Sequence, residues 1–306
     1  MSNATTRPST FNDYVGQSAA INNLKIFVAS AKARNTAMDH VLFTGPPGLG
    51  KTSIANVLAN EIGSHLKVIN ATTLKNKGDL IAVLSSLEKK DILFIDEIHA
   101  LSLKIEEVLY TAMEDFQIDV VANGNTIRVD LEPFTLIGAT TVSGKISRPL
   151  LDRFGEVIQM EPYSESEIAS IVVNAIQKME LAIDPEAASE IAKRSRGTPR
   201  LAHRFVRRVR DFALAVGTNF INSDLVKKVS QNLGIDEAGL DKTSVSYMLV
   251  LAKSNKPMGV KTIASSINQD EATVIEVIEP YLIQSGFVSK TFSGRFLTDE
   301  GKRYIS

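Results

Sequence analysis

The chain has 306 residues, more than one typical domain, and its 44% hydrophobic and 23% charged residues are ordinary for a soluble globular protein. A formal net charge of -1 announces no global basic field, so any nucleic-acid surface must be local. The absence of cysteine excludes a disulfide framework, a cysteine-ligated zinc site and thiol catalysis. Met1–Thr10 lacks the apolar core of a secretory signal and no apolar run approaches the ~20 residues of a membrane span, so a cytoplasmic protein without a membrane partner is expected.

Residues 1–20 are polar and expected to be extended, with Pro8 and Gly16 as breakers. From Ile21 to Met160 strand and helix signals alternate. The predicted strands are Val41–Thr44, Lys67–Asn70, Ile92–Ile95, Thr135–Ala139 and Val157–Met160. They are short, apolar and without two-residue alternation, as buried parallel strands are, so an α/β layer on a parallel sheet is predicted. The first strand runs into Gly45-Pro-Pro-Gly-Leu-Gly-Lys51-Thr52, which fits the phosphate-loop pattern G-x-x-x-x-G-K-[ST]. A helix begins at Ser53, with Ile54, Val57, Leu58 and Ile62 on one side. A strand, a glycine loop and a helix start aim backbone N–H groups at an anion. Lys51 can then reach the terminal phosphates, and the Thr52 hydroxyl can ligate magnesium. The chain is predicted to bind a nucleoside triphosphate.

Ile92-Leu-Phe-Ile-Asp96-Glu97-Ile-His99 is an apolar strand ending in two acids. Asp96 fits a magnesium-holding acid, and Glu97 is placed to polarise an attacking water. Alone, such acids can equally mark the strand's exit to solvent. His99 has no partner at ligand spacing among the four histidines, so a structural role is expected. Residues 118–131 read as two strands around Asn123-Gly124, a hairpin signal whose plain reading is a surface hairpin. The strand from Thr135 ends at Thr140 and Thr141, whose hydroxyls can bond the water or the terminal phosphate. Arg148 and Arg153 follow in Ser147-Arg-Pro-Leu-Leu-Asp-Arg153-Phe-Gly155. Either is a candidate to stabilise transition-state charge from a neighbouring subunit, or a surface ion pair worth little.

After Met160 the predicted strands stop. Ser164-Glu-Ser-Glu167 is a capping box, Asp184-Pro185 and Thr198-Pro199 open further helices, and a fourth runs near Ser223–Leu233. Arg200, at a helix N-terminus after Gly197-Thr-Pro, suits an anion. Ile191 to Arg210 holds eight Lys or Arg and no acid. That stretch is a DNA-contacting stripe or a solvated, intersubunit face, with Leu201, Phe205, Val209 and Phe212 as its apolar side. Gly234–Gly239 reads as a linker. Helices at Thr243–Lys253, Val260–Ile267 and Glu271–Gln284, then a hairpin from Phe287 to Leu297, follow the order of a winged helix-turn-helix. Glu271, Glu276 and Glu279 make its third helix acidic, so no groove-reading helix is expected. The domains expected are 1–164, 165–236 and 237–306.

Gly45–Thr52, Leu93–His99, Gly138–Thr141, Asp152–Gly155 and Gly197–Arg200 resemble the AAA+ ATPases. With Tyr14–Gln17, Glu107–Tyr110, Ala112–Asp115, Arg207–Phe212 and Glu279–Gln284, the chain resembles the bacterial Holliday-junction branch-migration motors of the RuvB family, from about Arg7 to its end. The resemblance implies a P-loop ATPase domain, a small helical lid and a winged-helix head. It further implies a homo-hexameric ring on duplex and Holliday-junction DNA, working with the junction-binding protein RuvA and, in the same pathway, a junction-resolving nuclease. By matching motif, Gly48, Gly50, Lys51, Thr52 and Ser53 would bind phosphates, with Thr52 and Asp96 on Mg2+. Thr6, Arg7 and Tyr163 would edge the adenine, Glu114, Asp115 and Phe116 would touch nucleotide, and Arg200 would be the lid's sensor. Glu97, Asp96 and Thr141 would serve catalysis with Arg153 as the trans arginine, and Lys290 and Arg295 would touch the DNA backbone. Three departures are visible. Ser53 stands for a usual threonine, Leu151 for a usual arginine, and the 118–131 hairpin, the family's RuvA contact, is short. The rival readings are an ATP-dependent DNA-binding switch or transcription regulator, and a clamp-loader-like assembly factor.

Overall fold

The computed structural model describes residues 7–122, 125–254 and 256–306. Where the sequence suggested extended chain up to residue 20, helix α1 (Ser18–Arg34) already begins, burying Ile21, Leu24, Val28 and Ala31 at three- and four-residue spacing. The chain then alternates through β1 (Val41–Thr44), α2 (Lys51–Ile62), β2 (Leu66–Asn70), α3 (Lys77–Leu84), β3 (Ile92–Asp96) and α4 (Leu103–Glu114). A hairpin of β4 (Gln117–Ala122) and β5 (Asn125–Asp130) follows, then β6 (Thr135–Thr140), α5 (Arg148–Leu151) and β7 (Glu156–Gln159).

Five of these strands form one parallel sheet in the order β2-β3-β6-β1-β7. The strands β1 and β6 are buried throughout and β3 is buried up to Asp96. That burial is why their sequences lack alternation: a sheet covered on both faces has no polar side. Leu42, Phe43 and Phe94 are fully buried in it, as is Phe134 just before β6. The order sets β3, β6 and β1 side by side, so Asp96, Thr140 and Thr44 finish at neighbouring carboxyl ends. Ligands in open α/β sheets bind at that end.

The chain divides into two compact units: residues up to Glu167 with Thr198–Arg200, and Ile168–Gly197 with Leu201–Ser306. Elements α6 (Glu165–Gln177), β8 (Ala182–Ile183), α7 (Pro185–Arg194), α8 (Pro199–Ala215), β9 (Phe220–Ile221) and α9 (Ser223–Leu233) make up the helical segment. Asp184 caps α7 through the Ala187 N–H at 2.6 Å, and Asn222 caps α9 through the Leu225 N–H at 2.9 Å. A two-residue parallel pair of β8 and β9 is added to what the sequence suggested. The apolar side of α8 is Ala202, Phe205, Val206, Val209 and Ala213, turned slightly from the expected face, so Leu201 and Phe212 are only half-buried.

The head runs α10 (Lys242–Ala252), α11 (Val260–Ser266), α12 (Glu271–Thr273), α13 (Glu279–Gln284), β10 (Val288–Thr291), β11 (Gly294–Leu297) and α14 (Asp299–Ile305). Between α12 and α13 lies a π-helical stretch, Val274–Ile278, where the expected helix was uniform. Its cause is Pro280, which has no N–H to continue the ladder, while the Glu279 N–H reaches back five residues to Val274. Helix α14 was not foreseen. Thr298 starts it by accepting the Gly301 N–H at 3.0 Å. Tyr247, Met248, Ile263, Val274 and Leu282 are fully buried at the head's core. No helix among the described residues is long and apolar enough to cross a membrane.

Candidate active site and head

Lys51 is the first residue of α2, and its ammonium donates to the carbonyls of Gly45 at 2.6 Å and Pro46 at 2.9 Å. Burial holds this lysine below its ordinary pKa; the charges of Glu97 and Asp96 pull it back up and that of Arg200 pushes it down. A desolvated cation between acids at a helix N-terminus favours an added anion. Gly48 takes φ +88°, and a Cβ there would lie 2.9 Å from Thr198 Cγ2, so glycine is required twice over. The Arg200 N–H donates to the Gly48 carbonyl at 3.3 Å, which lays Thr198–Arg200 against the loop. Tyr163 donates to the Leu49 carbonyl at 3.1 Å and is itself 3.1 Å from the Tyr14 hydroxyl. Burial raises both tyrosines above their ordinary pKa, so they stay neutral braces. Tyr14 had been given no role; its only signal was its place in the Tyr14–Gln17 string. Arg7 is exposed, and Thr6 lies outside the described residues.

Glu97 adopts a left-handed φ of 51°, a conformation non-glycine residues hold only when their surroundings fix it. Its Oε2 accepts the Thr141 hydroxyl at 3.1 Å and lies 3.2 Å from His99 Nδ1. The same imidazole nitrogen is 2.9 Å from Thr140 Oγ1, which accepts the Val142 N–H at 3.0 Å. His99, expected to be structural, therefore touches both Glu97 and Thr140. No local pattern could reveal this, since the contact exists only because β6 pairs with β3. Thr52 and Asp96 are half-buried at the start of α2 and the end of β3. Among the described residues no three His, Cys, Asp or Glu converge on a metal position. One hydroxyl and one carboxylate fit magnesium, which keeps waters and takes its remaining ligands from phosphates.

Arg153 lies just beyond α5 and is held from several sides. Its Nη2 is 3.0 Å from Glu114 Oε2, Nη1 donates to the Pro149 carbonyl at 2.7 Å, and its guanidinium stacks 4.6 Å from the Tyr110 ring centroid. Tyr110 is fixed in turn by Ser147 and by the buried Glu106, to which Ser147 donates at 2.5 Å. Arg148 is exposed. Glu114 and Asp115 are exposed, whereas Phe116 turns inward, edge-to-face on Phe134 at 5.8 Å. Leu151 packs half-buried against the core.

The hairpin forms as read, with Gln117–Ala122 antiparallel to Asn125–Asp130; its turn, Asn123-Gly124, lies outside the described residues. Its root is pinned by buried Ile118, while Ile127 and Val129 are exposed. The basic stretch divides. Arg194 is buried on Glu190, Arg196 stacks on Tyr281 and donates to the Gly239 carbonyl at 2.8 Å, and Arg204, Arg207 and Arg208 are exposed.

In the head, Lys290 and Arg295 face each other across the wing, as the sequence implied. Lys290 is exposed. Arg295 is not: it is 8% exposed, with Nε 2.7 Å from Glu279 Oε1 and Nη2 3.1 Å from Oε2. Tyr247 donates to the same Oε1 at 2.9 Å. Its place in this structure is thus a corrected one, an internal ion pair rather than an outward backbone contact. Glu279 is correspondingly removed from the acidic surface expected of the third helix, leaving Glu271 and Glu276.

The comparisons with known proteins agree along the whole chain. Residues 6–160 match the P-loop domain of the Holliday junction DNA helicase RuvB, 163–236 the RuvB AAA lid domain, and 237–306 the RuvB C-terminal winged helix domain. A Holliday junction branch migration complex subunit RuvB from Campylobacter fetus is 47% identical over 298 residues, 96% of this chain and 87% of that protein. The Helicobacter pylori (strain Shi470) protein of the same name is 47% identical over 300 residues, 96% of this chain and 89% of its own. The solved structure of the Thermotoga maritima RuvB Holliday junction branch migration motor superposes with a TM-score of 0.88 at 40% identity, covering 98% of both chains. With all three domains matched in order and a phosphate loop, paired acids and threonines in place, the chain belongs to the RuvB family of P-loop AAA+ proteins.

Proposed function

We propose that this chain is the ATP-hydrolysing subunit of a homo-hexameric motor that drives duplex DNA through Holliday-junction branch migration. The observation that carries the reading is the Glu97 carboxylate, braced 3.1 Å from the Thr141 hydroxyl at the mouth of a phosphate loop. ATP is the substrate, its phosphates received by Gly48, Gly50, Lys51, Thr52 and Ser53 and its base edged by Arg7 and Tyr163, with Thr6 at the same edge. Thr52 and Asp96 would hold magnesium, which when bound would supply charge neutralisation at the phosphates. Glu97 takes the proton of the attacking water, Thr141 orients that carboxylate, and Arg200 couples the lid motif to the loop. Arg153, exchanged from Glu114 to a neighbouring protomer's nucleotide, supplies transition-state charge, with Glu114 and Asp115 on the same donating edge and Phe116 packed behind them.

The three-domain division at 164 and 236 assigns chemistry to the first domain, closure to the second and DNA to the third. Contacts from the wing to the phosphodiester backbone, with Lys290 as the exposed cation, are expected to be sequence-independent and salt-dependent. The 118–131 hairpin, with Ile127 and Val129 exposed, suits docking of RuvA, and a junction-resolving nuclease belongs to the same sequence of events. A cytoplasmic location fits DNA work.

The test is ATP-dependent dissociation of a synthetic four-way junction, with and without RuvA. Glu97→Gln should lower multiple-turnover hydrolysis by about 10²–10⁴-fold and abolish dissociation. Intact hydrolysis in that variant would overturn the general-base assignment. Nucleotide-dependent DNA binding without turnover would favour a switch, and turnover that never moves a junction would favour an assembly factor.

A further inference from the structure

The buried place of Arg295 leaves the wing with a single outward cation, and the hairpin's tip offers something else. Phe292, in the turn between β10 and β11, is exposed to 115% of the reference value, more than any other large apolar side chain among the described residues. Single exposed apolar residues are common and need no explanation. This one differs in its mounting.

The hairpin that carries it is rigidly based. Met258 and Arg295 exchange backbone N–H to carbonyl bonds of 2.8 Å in both directions, adding a third chain to the wing. Gly294 makes that approach possible, because a Cβ there would meet the Met258 carbonyl oxygen at 2.5 Å. The bidentate Arg295–Glu279 pair fixes the strand from below, and Thr291 Oγ1 braces the turn, 3.0 Å from Ser293 Oγ and 3.1 Å from the Gly294 carbonyl. From Val288 to Leu297 there is no acid, and exposed Lys290 stands two residues before the phenyl ring. A stiff hairpin thus presents an uncovered aromatic beside a cation on an acid-free stretch of chain.

We infer that Phe292 is a wedge for duplex DNA, its ring entering the minor groove against sugars and base edges while Lys290 takes the adjoining phosphate. Apolar side chains inserted from the minor-groove side are an established means of gripping DNA without reading sequence, which suits a translocating protein. Hydrophobic and aromatic contact carries no counterion release, so it adds affinity that salt does not remove. The inference rests on the DNA-motor reading above.

The chain contains no tryptophan, so Phe292→Trp places a unique fluorophore at the tip of the full-length protein. Binding of a fluorescein-labelled 30-base-pair duplex is first followed by anisotropy, and an unlabelled duplex is then added to the Trp-bearing protein. Quenched tryptophan emission together with protection from acrylamide supports the wedge. Binding by anisotropy with unchanged emission and unchanged acrylamide quenching overturns it and leaves the motor reading intact. Absence of binding even at low salt overturns both. In parallel, Phe292→Ala should weaken duplex binding about tenfold with the salt slope retained, whereas Lys290→Ala should reduce that slope by about 0.9. An unchanged affinity in Phe292→Ala, or a loss confined to the salt slope, counts against the wedge.

Discussion

Arg153 at the edge of the first unit and Arg295 in the head each hold a glutamate at hydrogen-bond distance, Glu114 at 3.0 Å and Glu279 at 2.7 Å. Both pairs join a guanidinium to a carboxylate, through one hydrogen bond in the first and two in the second. Glu114, however, keeps 57% of its side chain in solvent, while Glu279 keeps 2%. An exposed pair contributes little and exchanges readily, so Arg153 can leave Glu114 for another anion. The buried pair was assembled at a large desolvation cost, and removing one partner strands a charge. Burial, not residue type, decides which arginine is available for function and which is part of the frame.

The largest expected effect tests the available arginine. Arg153→Ala should lower DNA-stimulated phosphate release by about 10³–10⁵-fold. Mixing it with Lys51→Ala subunits should restore a fraction of the activity, because some interfaces then combine one good loop with one good arginine. No recovery at any ratio would move Arg153 to the structural side of the comparison. Next, Glu279→Ala should destabilise the head by about 3–5 kcal/mol, read as lost hydrogen–deuterium protection of the Val288–Leu297 amides in the full chain. Retained protection would mean the buried pair is not the wing's foundation.

A smaller effect involves Tyr247, whose burial and whose neighbour Glu279 push its pKa well above the ordinary 10.0. The folded phenol keeps a proton that the unfolded one loses, so its stabilising contribution is complete below pH 10 and declines as pH rises beyond it. The slope is about 1.4 kcal/mol per pH unit. Between pH 10 and pH 11 the urea midpoint, followed by circular dichroism, should therefore fall further in the native chain than in Tyr247→Phe. Equal falls would sink the assignment. At neutral pH that variant should cost about 1 kcal/mol for one lost hydrogen bond. Least of all, Glu114→Ala should change stability by less than ~1 kcal/mol; a loss matching Glu279→Ala would erase the contrast between the pairs.

Much of the first unit was legible in the sequence. The strand, loop and helix around Lys51 announce themselves through a contiguous apolar run, glycines and a helical period, all within a few residues. The winged-helix order was legible for the same reason, as was the antiparallel pairing of β4 with β5. Helix α14 escaped because Asp299–Ile305 is short and polar, and the π-helical stretch because the shift of one hydrogen bond leaves no periodic trace. His99 and Tyr14 escaped for a different reason. Their partners, Thr140 and Tyr163, are 41 and 149 residues away along the chain.

By itself the sequence determined the alternation of buried strands and amphipathic helices, the phosphate loop with its lysine and hydroxyl, and the acids that end β3. Those are local matters of hydrophobic period, backbone freedom and side-chain chemistry. Tertiary structure alone decided that Arg295 faces Glu279 and not solvent, that Arg153 rests on an exchangeable glutamate, and that His99 joins Glu97 and Thr140. Each of those outcomes depends on which distant strands and helices share a boundary, because the energy of a charge is set by the water and partners around it.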